Sequence, residues 1–360
     1  LLDWFALGGA LRQRSEVDIQ SLFSKAFAID KLKALKILFY FRDARGGQGE
    51  RNSFKACLKW LSKFQPDILC NNLNNVPLYG RWDDLYCLIG TPLEKDVFWL
   101  FAVQLERDIR NMKNGESVSL LAKWLKSENT SSSASVRLAK KPSEALEMTP
   151  KKYRKTLSAL RRYIDVVEVK MCDQDFGAID FQKVPSKAMT NYRNSFKKHD
   201  ETRWKGYLEK VEKGEAKINA STLYPYEIIR SVMNESDPTS IKALDLQWKA
   251  QPDWLKDNPH YGMVIADVSG SMTCAGGLPL LVSISLAIYF AERNVGPFKD
   301  YFMTFSTSPM LQRVIGNNVK EKYENLSNAN WAGSTDLQAA FTLLLASAMA
   351  NRVPQSDMPS

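Results

Sequence analysis

A long succession of amphipathic helical patterns constrains the fold of this chain more than any other feature. Along residues 52–64, apolar side chains recur at positions i, i+3, i+4 and i+7, which places them on one face of an α-helix. Thr149 and Pro150 open another such stretch with a helix N-cap and a proline in the first turn. Similar stretches, separated by short breaks with Gly, Pro or Asn, cover residues 32–41, 94–112, 119–125, 149–164, 200–212 and 241–254. Helices of this length with short connections are typical of repeat arrays, so the sequence predicts an α-helical repeat domain over residues 1–255, although without a clean period.

The pattern changes near residue 259. A short apolar run over residues 262–266 predicts a buried parallel strand. The elements predicted beyond it are a helix over 278–293, strands over 301–305 and 311–315, and a helix over 337–350. Strands alternating with helices are typical of a parallel sheet with crossover helices. We therefore predict an α/β domain over residues 260–360, after a boundary at 253–260.

Composition excludes several classes of protein. Hydrophobic residues make up 44% of the chain and charged residues 25%, which excludes a disordered chain, a collagen-like chain and a coiled-coil rod. No window approaches the roughly 18 apolar residues of a membrane span, so no membrane partner is predicted. Five cysteines without a Cys-x-x-Cys pair, and only two histidines, argue against a zinc site and predict free thiols in a reducing, cytoplasmic compartment. The sequence begins at Leu1 without a Met or a secretory signature, so we expect a natural N-terminus upstream.

The net charge of +9 is distributed unevenly along the sequence. Residues 1–255 hold 42 basic and 32 acidic residues, whereas residues 256–360 hold seven basic and eight acidic residues. The predicted helical domain is therefore strongly positive, and the remainder is nearly neutral. A basic body of this kind favours a polyanionic partner.

Asp267, Ser269 and Ser271 directly follow the first predicted strand. An Asp and two Ser at alternate positions at the carboxyl end of a strand present three hard oxygens to one point, which suits a divalent cation such as Mg²⁺. Downstream, Thr335 precedes the last predicted helix and supplies a further hydroxyl. The alternative is a polar strand-to-helix turn that is capped by Ser.

These residues resemble the metal-ion-dependent adhesion site of von Willebrand factor A domains. The resemblance implies a Rossmann-like A domain that binds Mg²⁺ or another divalent cation in a structural or ligand-bridging role. The ligands that it implies are Asp267, Ser269, Ser271 and Thr335. That family places another metal-site Asp at the end of a later strand, which this sequence lacks, so we expect the A domain over 260–360 to be incomplete at its C-terminus. Hydrolysis is not predicted, because a Ser nucleophile needs a His base and His260 lies at the other end of the strand.

Residues 42–51 read Arg-Asp-Ala-Arg-Gly-Gly-Gln-Gly-Glu-Arg. Backbone N–H groups of a Gly-rich loop can hold phosphate, but this one lacks the Lys-Ser/Thr of a P-loop and the third Gly of the dinucleotide fingerprint. It also follows a predicted helix rather than a strand. We therefore interpret it as an interhelical turn lined with Arg42, Arg45 and Arg51.

The same turn resembles the helical part of TROVE modules, which are named for telomerase, Ro and vault proteins. Further matching segments lie at residues 78–85, 119–125, 179–181, 184–189 and 223–227. The resemblance covers nearly the whole chain. The order of the parts, helical repeats and then an A domain, is the order found in Ro-type proteins. The most similar members belong to an uncharacterised branch seen in viruses, fungi, plants and bacteria. It implies HEAT-like repeats that curve into a ring closed by the A domain. The positively charged hole of such a ring takes single-stranded 3′ ends of noncoding RNA, and structured RNAs bind its outer surface.

We accordingly predict a non-catalytic RNA-binding protein whose contacts are led by phosphates and are only weakly sequence-specific. The candidate RNA contacts are Arg42, Arg45, Arg81, Lys123, Lys187, Lys198, His199 and Arg203. Arg42 beside Asp43, and Arg81 beside Asp83 and Asp84, could instead pair internally and hold helices in register. The alternative function is a protein-interaction or assembly scaffold, such as a viral particle component, in which the A-domain metal grips an acidic side chain of the partner.

Overall fold

The computed structural model describes residues 1–8, 10–127, 132–256, 262–267, 269–304, 308–328 and 336–359, apart from four side chains at positions 12, 13, 134 and 275. The chain is mostly helical, with a small three-stranded mixed sheet near the C-terminus. It divides into two compact units, residues 1–174 and residues 175–360. The predicted combination of a helical part with a later α/β part is confirmed at this level.

The first unit, residues 1–174, is entirely helical in its described part. Its helices are α1 (Leu2–Leu7), α2 (Glu16–Ile29), α3 (Lys31–Arg42), α4 (Asn52–Phe64), α5 (Pro66–Cys70), α6 (Asn75–Tyr79), α7 (Glu94–Lys113), α8 (Leu121–Trp124), α9 (Ser133–Ala145), α10 (Pro150–Tyr163) and α11 (Val167–Cys172). Short 3₁₀ helices cover Ala10–Gln13 and Trp82–Leu88. An aromatic cluster fills the N-terminal core, where the Trp4 ring lies 4.9 Å from Phe41 and 5.4 Å from Phe23.

The apolar stripes form the helices that they predict. The stripe of α4 is wholly inside, because Phe54, Cys57 and Leu58 are fully buried. Burying large side chains of this kind contributes roughly 1.5–3 kcal/mol each, which orients the helix against its neighbours. At the start of α10, the Thr149 hydroxyl accepts the N–H of Lys152 at 3.3 Å, so the predicted N-cap is confirmed.

The second unit, residues 175–360, combines helices with the sheet. Its helices are α12 (Ser186–His199), α13 (Glu201–Glu212), α14 (Pro225–Val232), α15 (Pro238–Lys249), α16 (Cys274–Arg293), α17 (Val319–Ser327) and α18 (Leu337–Ala350). Its strands are β1 (Val264–Ala266), β2 (Tyr301–Thr304) and β3 (Leu311–Arg313). Short 3₁₀ helices cover Phe176–Ala178, Phe181–Lys183, Gly270–Thr273 and Gln355–Asp357.

The sheet has the order β1-β2-β3 and is mixed. β1 pairs with β2 in parallel, with Ala266 opposite Thr304, and α16 makes the crossover between them. β3 runs antiparallel to β2, with Leu311 opposite Met303, so the expectation of an all-parallel sheet is wrong at β3. The chain between β2 and β3 is too short for a parallel connection, which needs a dozen residues or more.

Helices α14 and α15 share one apolar core with the sheet and α16. Ile228 and Trp248 are buried in the same cluster as Ala266, Tyr289 and Phe302. The packing division at residues 174 and 175 is therefore not the sequence division predicted at residues 253–260. Within the described ranges, no helix has an apolar stretch long enough to cross a membrane.

Candidate functional site

The excess positive charge belongs to the first unit. Residues 1–174 hold 29 basic and 20 acidic residues, which gives this unit a net charge of +9. Residues 175–360 hold 20 of each, so the second unit is neutral. A polyanion would therefore be attracted to the first unit.

The densest positive segment runs from α9 through α10. Residues 137–162 contain nine basic and two acidic residues. Tyr153, Leu157 and Leu160 bury one face of α10, and helical periodicity places Lys151 and Lys155 on the opposite face. The apolar periodicity of this segment predicts a helix but does not identify its charged face. The run Lys-Lys-Tyr-Arg-Lys, without an acidic residue between positions 148 and 164, is the signal that reveals its charge.

Lys151, Lys152 and Lys155, here called the α10 basic face, are exposed and form no ion pair with a residue of the described ranges. Lys151 and Lys155 stand four residues apart on one helix face, and like charges at this spacing destabilise a helix by roughly 0.2–0.5 kcal/mol. The positive charge of this face is therefore not neutralised by an ion pair within the described ranges.

Arg42 lies inside the first unit rather than at a surface. Its Nε donates to Asp84 Oδ2 at 2.7 Å, and the two side chains are 3% and 0% exposed. Arg51 Nη2 lies 3.0 Å from Asp83 and 3.4 Å from Asp84. These residues and Arg81 are called the Asp84 cluster below. Arg42 is therefore not available to RNA, and the pairing partner is Asp84 rather than the adjacent Asp43.

Arg81 belongs to the same cluster and is also engaged internally. Its Nε lies 3.0 Å from Asp83 Oδ1, and its guanidinium stacks 4.1 Å from the centre of the Trp124 ring. Burial lowers the pKa of Arg81, which Asp83 opposes. Gly80 is required beside it, because a Cβ at this position would lie 2.7 Å from Asp84 Oδ2 and 2.8 Å from Arg42 Nε.

The remaining candidates of the first unit, Arg45 and Lys123, lie nearer the surface. Arg45 is exposed, and its Nη1 donates to the carbonyl oxygen of Leu78 at 3.2 Å. Lys123 Nζ lies 4.0 Å from Glu168 and 5.8 Å from the centre of the Trp124 ring. The Arg45 contact is a hydrogen bond to a neutral acceptor, and the long, partly exposed ion pair of Lys123 contributes little to stability, so neither charge is firmly neutralised.

The predicted RNA contacts of the second unit are also of two kinds, those held by partners within the unit and those that are exposed. Arg203 donates to the carbonyl oxygens of Phe176, Gly177 and Ile179, so it fastens a loop. Lys187 Nζ lies 2.6 Å from Glu227 Oε1. The His199 ring stacks on the Phe176 ring, with 4.4 Å between the ring centres. Lys198 is exposed and forms no ion pair with a described residue.

Three of the four candidate metal ligands, Asp267, Ser269 and Ser271, follow the carboxyl end of β1. The backbone N–H of Ser269 donates to Asp267 Oδ1 at 2.9 Å, and Ser269 Oγ lies 2.9 Å from Ser271 Oγ. Neighbouring oxygens around an octahedral Mg²⁺ at about 2.1 Å are about 3 Å apart, so the two hydroxyls fit adjacent positions on one ion. The residues present therefore suit a small divalent cation, which they would hold through three oxygens.

Two features bear on this site further along the chain. Thr335 lies outside the described residues. Asp336 is taken up by α18, where its Oδ1 accepts the N–H of Ala339 at 2.9 Å. No group of three or more His, Cys, Asp or Glu side chains in the described ranges is placed to hold a metal, so the hydroxyls are essential to any such site.

Comparison with known families identifies the family of this chain. Residues 1–96 and 118–260 match the family model of DUF2828, a domain of unknown function, and this match covers more than half of the sequence. The chain belongs to the DUF2828 family. Residues 262–359 of this DUF2828 protein match a second model, DUF7788, also a domain of unknown function.

The DUF2828 protein also has a viral relative. An uncharacterised protein of Acanthamoeba polyphaga mimivirus is 30% identical to it over 384 aligned residues, which cover 96% of the chain and 66% of the relative. The chain thus spans just under two thirds of the length of this relative. No solved structure gives a significant match to the chain.

Proposed function

We propose that this DUF2828 protein is a non-catalytic, cytoplasmic RNA-binding protein that holds single-stranded or partly unfolded RNA by its phosphates. The observation that carries this proposal is the confinement of the whole net charge of +9 to residues 1–174. Phosphate contacts from Lys and Arg provide most of the affinity in sequence-independent nucleic-acid binding. We assign these contacts to the α10 basic face and to Arg45 and Lys123.

The proposal includes the Ro-like organisation that the TROVE resemblance implies, with HEAT-like repeats followed by a von Willebrand factor A domain. Support comes from two of the motifs that carry the resemblance, the turn at residues 42–51 and the segment at 78–85. Both contribute to the Asp84 cluster, which ties α3, α4 and the 3₁₀ helix Trp82–Leu88 together. Shared motifs of this kind support a shared helical fold. We assign the RNA contacts to other residues, because Arg42 and Arg81 of these motifs are engaged inside the unit.

The test is a salt titration of RNA affinity. We expect a fluorescently labelled 20-nucleotide single strand to bind, with log affinity falling linearly against log salt by roughly 0.7 per phosphate neutralised. Lys151→Gln together with Lys155→Gln should weaken binding to all sequences similarly and flatten this slope by about one to two. The matched control is Lys210→Gln with Lys213→Gln, two exposed lysines of the neutral unit.

The outcome of that comparison is decisive in both directions. An affinity that does not depend on salt, or a slope that the Lys151 and Lys155 changes leave intact, would overturn the assignment of RNA to this face. Equal losses of RNA affinity in the test and control variants would show that binding depends on the net charge alone and not on the α10 basic face.

A second candidate function is a protein-interaction scaffold that works through a metal at Asp267. The observation that favours it is the convergence of Ser269 Oγ and Ser271 Oγ, 2.9 Å apart, beside Asp267. A Mg²⁺ held there through few protein oxygens would keep open positions for an acidic side chain of a partner. The source of the mimivirus relative is compatible with an assembly role in a viral particle.

Calorimetry with Mg²⁺ on the full-length protein tests this site. We expect saturable binding that Asp267→Ala abolishes, because the carboxylate is the one charged group among the assigned ligands. Asp357→Ala removes a carboxylate of the same unit at a distance in sequence and should leave binding intact. If Asp267→Ala and the parent protein bind Mg²⁺ alike, the metal assignment is wrong.

A further inference from the structure

A cationic cleft lies in the first unit, between the start of α2 and α4. It has a volume of about 440 Å³, and its walls carry three cations, Arg14, Lys55 and Lys59, and one carboxylate, Glu16. None of the residues that the sequence suggested as RNA contacts lines it. The cleft is therefore a separate concentration of positive charge in this unit.

Two of the three cations are held loosely or not at all. Arg14 is exposed and forms no ion pair within the described part of the chain. Lys59 Nζ lies 2.9 Å from Glu16 Oε2, but the side chains are 43% and 46% exposed. A pair this exposed contributes little and exchanges readily for a stronger anion. Glu16 also accepts from Gln20 at 3.1 Å, so it keeps a partner when Lys59 turns away.

The third cation, Lys55, joins the cleft to the Asp84 cluster. Its Nζ lies 3.8 Å from Asp84 Oδ1, beyond hydrogen-bonding distance. Asp84 already accepts from Arg42 and Arg51, and the cluster has three guanidinium groups for two carboxylates. The charge of Lys55 is therefore in excess, and it faces the cleft.

The floor of the cleft is neutral. It includes Ile19, Ala56 and Cys87, and burial raises the pKa of the Cys87 thiol to about 12, so this thiol has no charge near neutral pH. The N–H groups of Asn52 and Ser53 at the start of α4 both donate to Glu50. Recognition in the cleft thus falls to side-chain cations that lie beside these apolar residues.

We propose that this cleft binds a phosphate monoester of nucleotide size. Three cations and one displaceable carboxylate line the cleft. This net positive charge matches a phosphate monoester, which has a charge of about −1.5 to −2 at neutral pH. The volume exceeds that of a bare phosphate, and the apolar floor suits the uncharged part of the ligand. The site stands whether or not the α10 basic face binds RNA.

The test uses AMP as the probe and calorimetry on the full chain. AMP should bind saturably and adenosine should not, because the phosphate is the recognised group. Arg14→Gln should weaken AMP about tenfold through loss of one charge-assisted contact. Arg14 is exposed, so this variant should fold. Lys55→Gln removes a second cation of the cleft, on α4, and should also weaken AMP binding. Lys63→Gln is the control, since Lys63 is exposed on α4 and does not line the cleft.

Two arms identify the source of the phosphate. A 5′-phosphorylated single-stranded RNA that binds more tightly than its 5′-hydroxyl form, in the parent protein but not in Arg14→Gln, would identify an RNA end as the ligand. AMP binding without any such preference would identify a free mononucleotide. Equal affinity for AMP and adenosine, absence of AMP binding, or equal losses in Arg14→Gln and Lys63→Gln would each overturn the proposal.

Discussion

Arg161 and Arg203 each fasten a loop by donating to several acceptors at once. Arg161 reaches the carbonyl oxygens of Ala122 at 2.8 Å and Leu125 at 2.7 Å, together with the Ser127 hydroxyl at 2.9 Å. A guanidinium with five N–H donors in a fixed fork suits such sites, where the single ammonium of Lys would satisfy fewer acceptors. Positive residues counted in the sequence are therefore of two kinds, those that hold backbone and those that face solvent.

A partly buried ion pair at Glu235 predicts a pH-dependent stability. Arg193 Nη2 donates to Glu235 Oε2 at 2.7 Å, and both side chains are under 15% exposed. Burial opposes ionisation of Glu235, but the hydrogen bonds from Arg193 and from the N–H of Asp237 leave its pKa below the ordinary 4.5. Because the folded pKa lies below the unfolded one, the stabilisation is present above about pH 4.5 and is lost as pH falls through the folded value.

Glu235→Gln should therefore lower the free energy of unfolding at pH 7 by about 1–3 kcal/mol. The difference between parent and variant should shrink as pH falls from 5 to 3. Urea denaturation at pH 7, 5 and 3 measures it, with Glu209→Gln, an exposed glutamate of α13, as the control. A difference that stays constant over this range would contradict the prediction.

At the scale of elements, the sequence predicts the long helices well and the sheet less well. The stripe at residues 52–64 and the helix at 337–350 match α4 and α18 at both ends, because burial of one face and local capping decide a helix and both are local in sequence. The direction of β3 depends on the length of the connection between strands. The predicted strands at 301–305 and 311–315 leave only five residues between them, so the antiparallel direction could have been predicted from the sequence.

The candidate site was predictable only in part for a related reason. Arg42 pairs with Asp84, 42 positions away, and a contact of that separation has no local signature. The hydroxyls of Ser269 and Ser271 are brought together by a turn that their spacing does predict. The charge of α10 was visible in the sequence as a run of basic residues, and its orientation away from the core follows from the apolar stripe.

Helix α18 gives a prediction of its own. Leu337, Phe341, Leu345 and Met349 recur at every fourth position and are 56–72% exposed, while Ala340 on the other face is buried. An exposed apolar stripe of this length binds hydrophobic dyes in the native state. Phe341→Ser with Leu345→Ser should reduce ANS fluorescence of the native chain without lowering its thermal midpoint.

A buried position on the same helix supplies the control for that experiment. Leu344 is 8% exposed, so Leu344→Ser should lower the midpoint and leave the exposed stripe in place. ANS fluorescence that does not change when Phe341 and Leu345 are replaced would show that the dye reports a different surface.

At the scale of the whole molecule, the family match and the packing divide the chain at different places. The DUF2828 match ends at residue 260 and the DUF7788 match begins at 262, whereas the compact units meet at residues 174 and 175. Packing against a helix stabilises a small sheet, and here α14 and α15 share the core of the sheet. The last helices of the DUF2828 segment therefore stabilise the strands that follow it.

The confinement of charge to residues 1–174 also makes the isoelectric point a poor guide to behaviour. At pH 9.1, where the sequence as a whole is neutral, the first unit still has a surplus of protonated lysine and arginine and the second unit has a compensating negative charge. The net charge is then zero, although the two units still differ in charge. The protein should adsorb to a cation-exchange resin above its isoelectric point through residues 1–174.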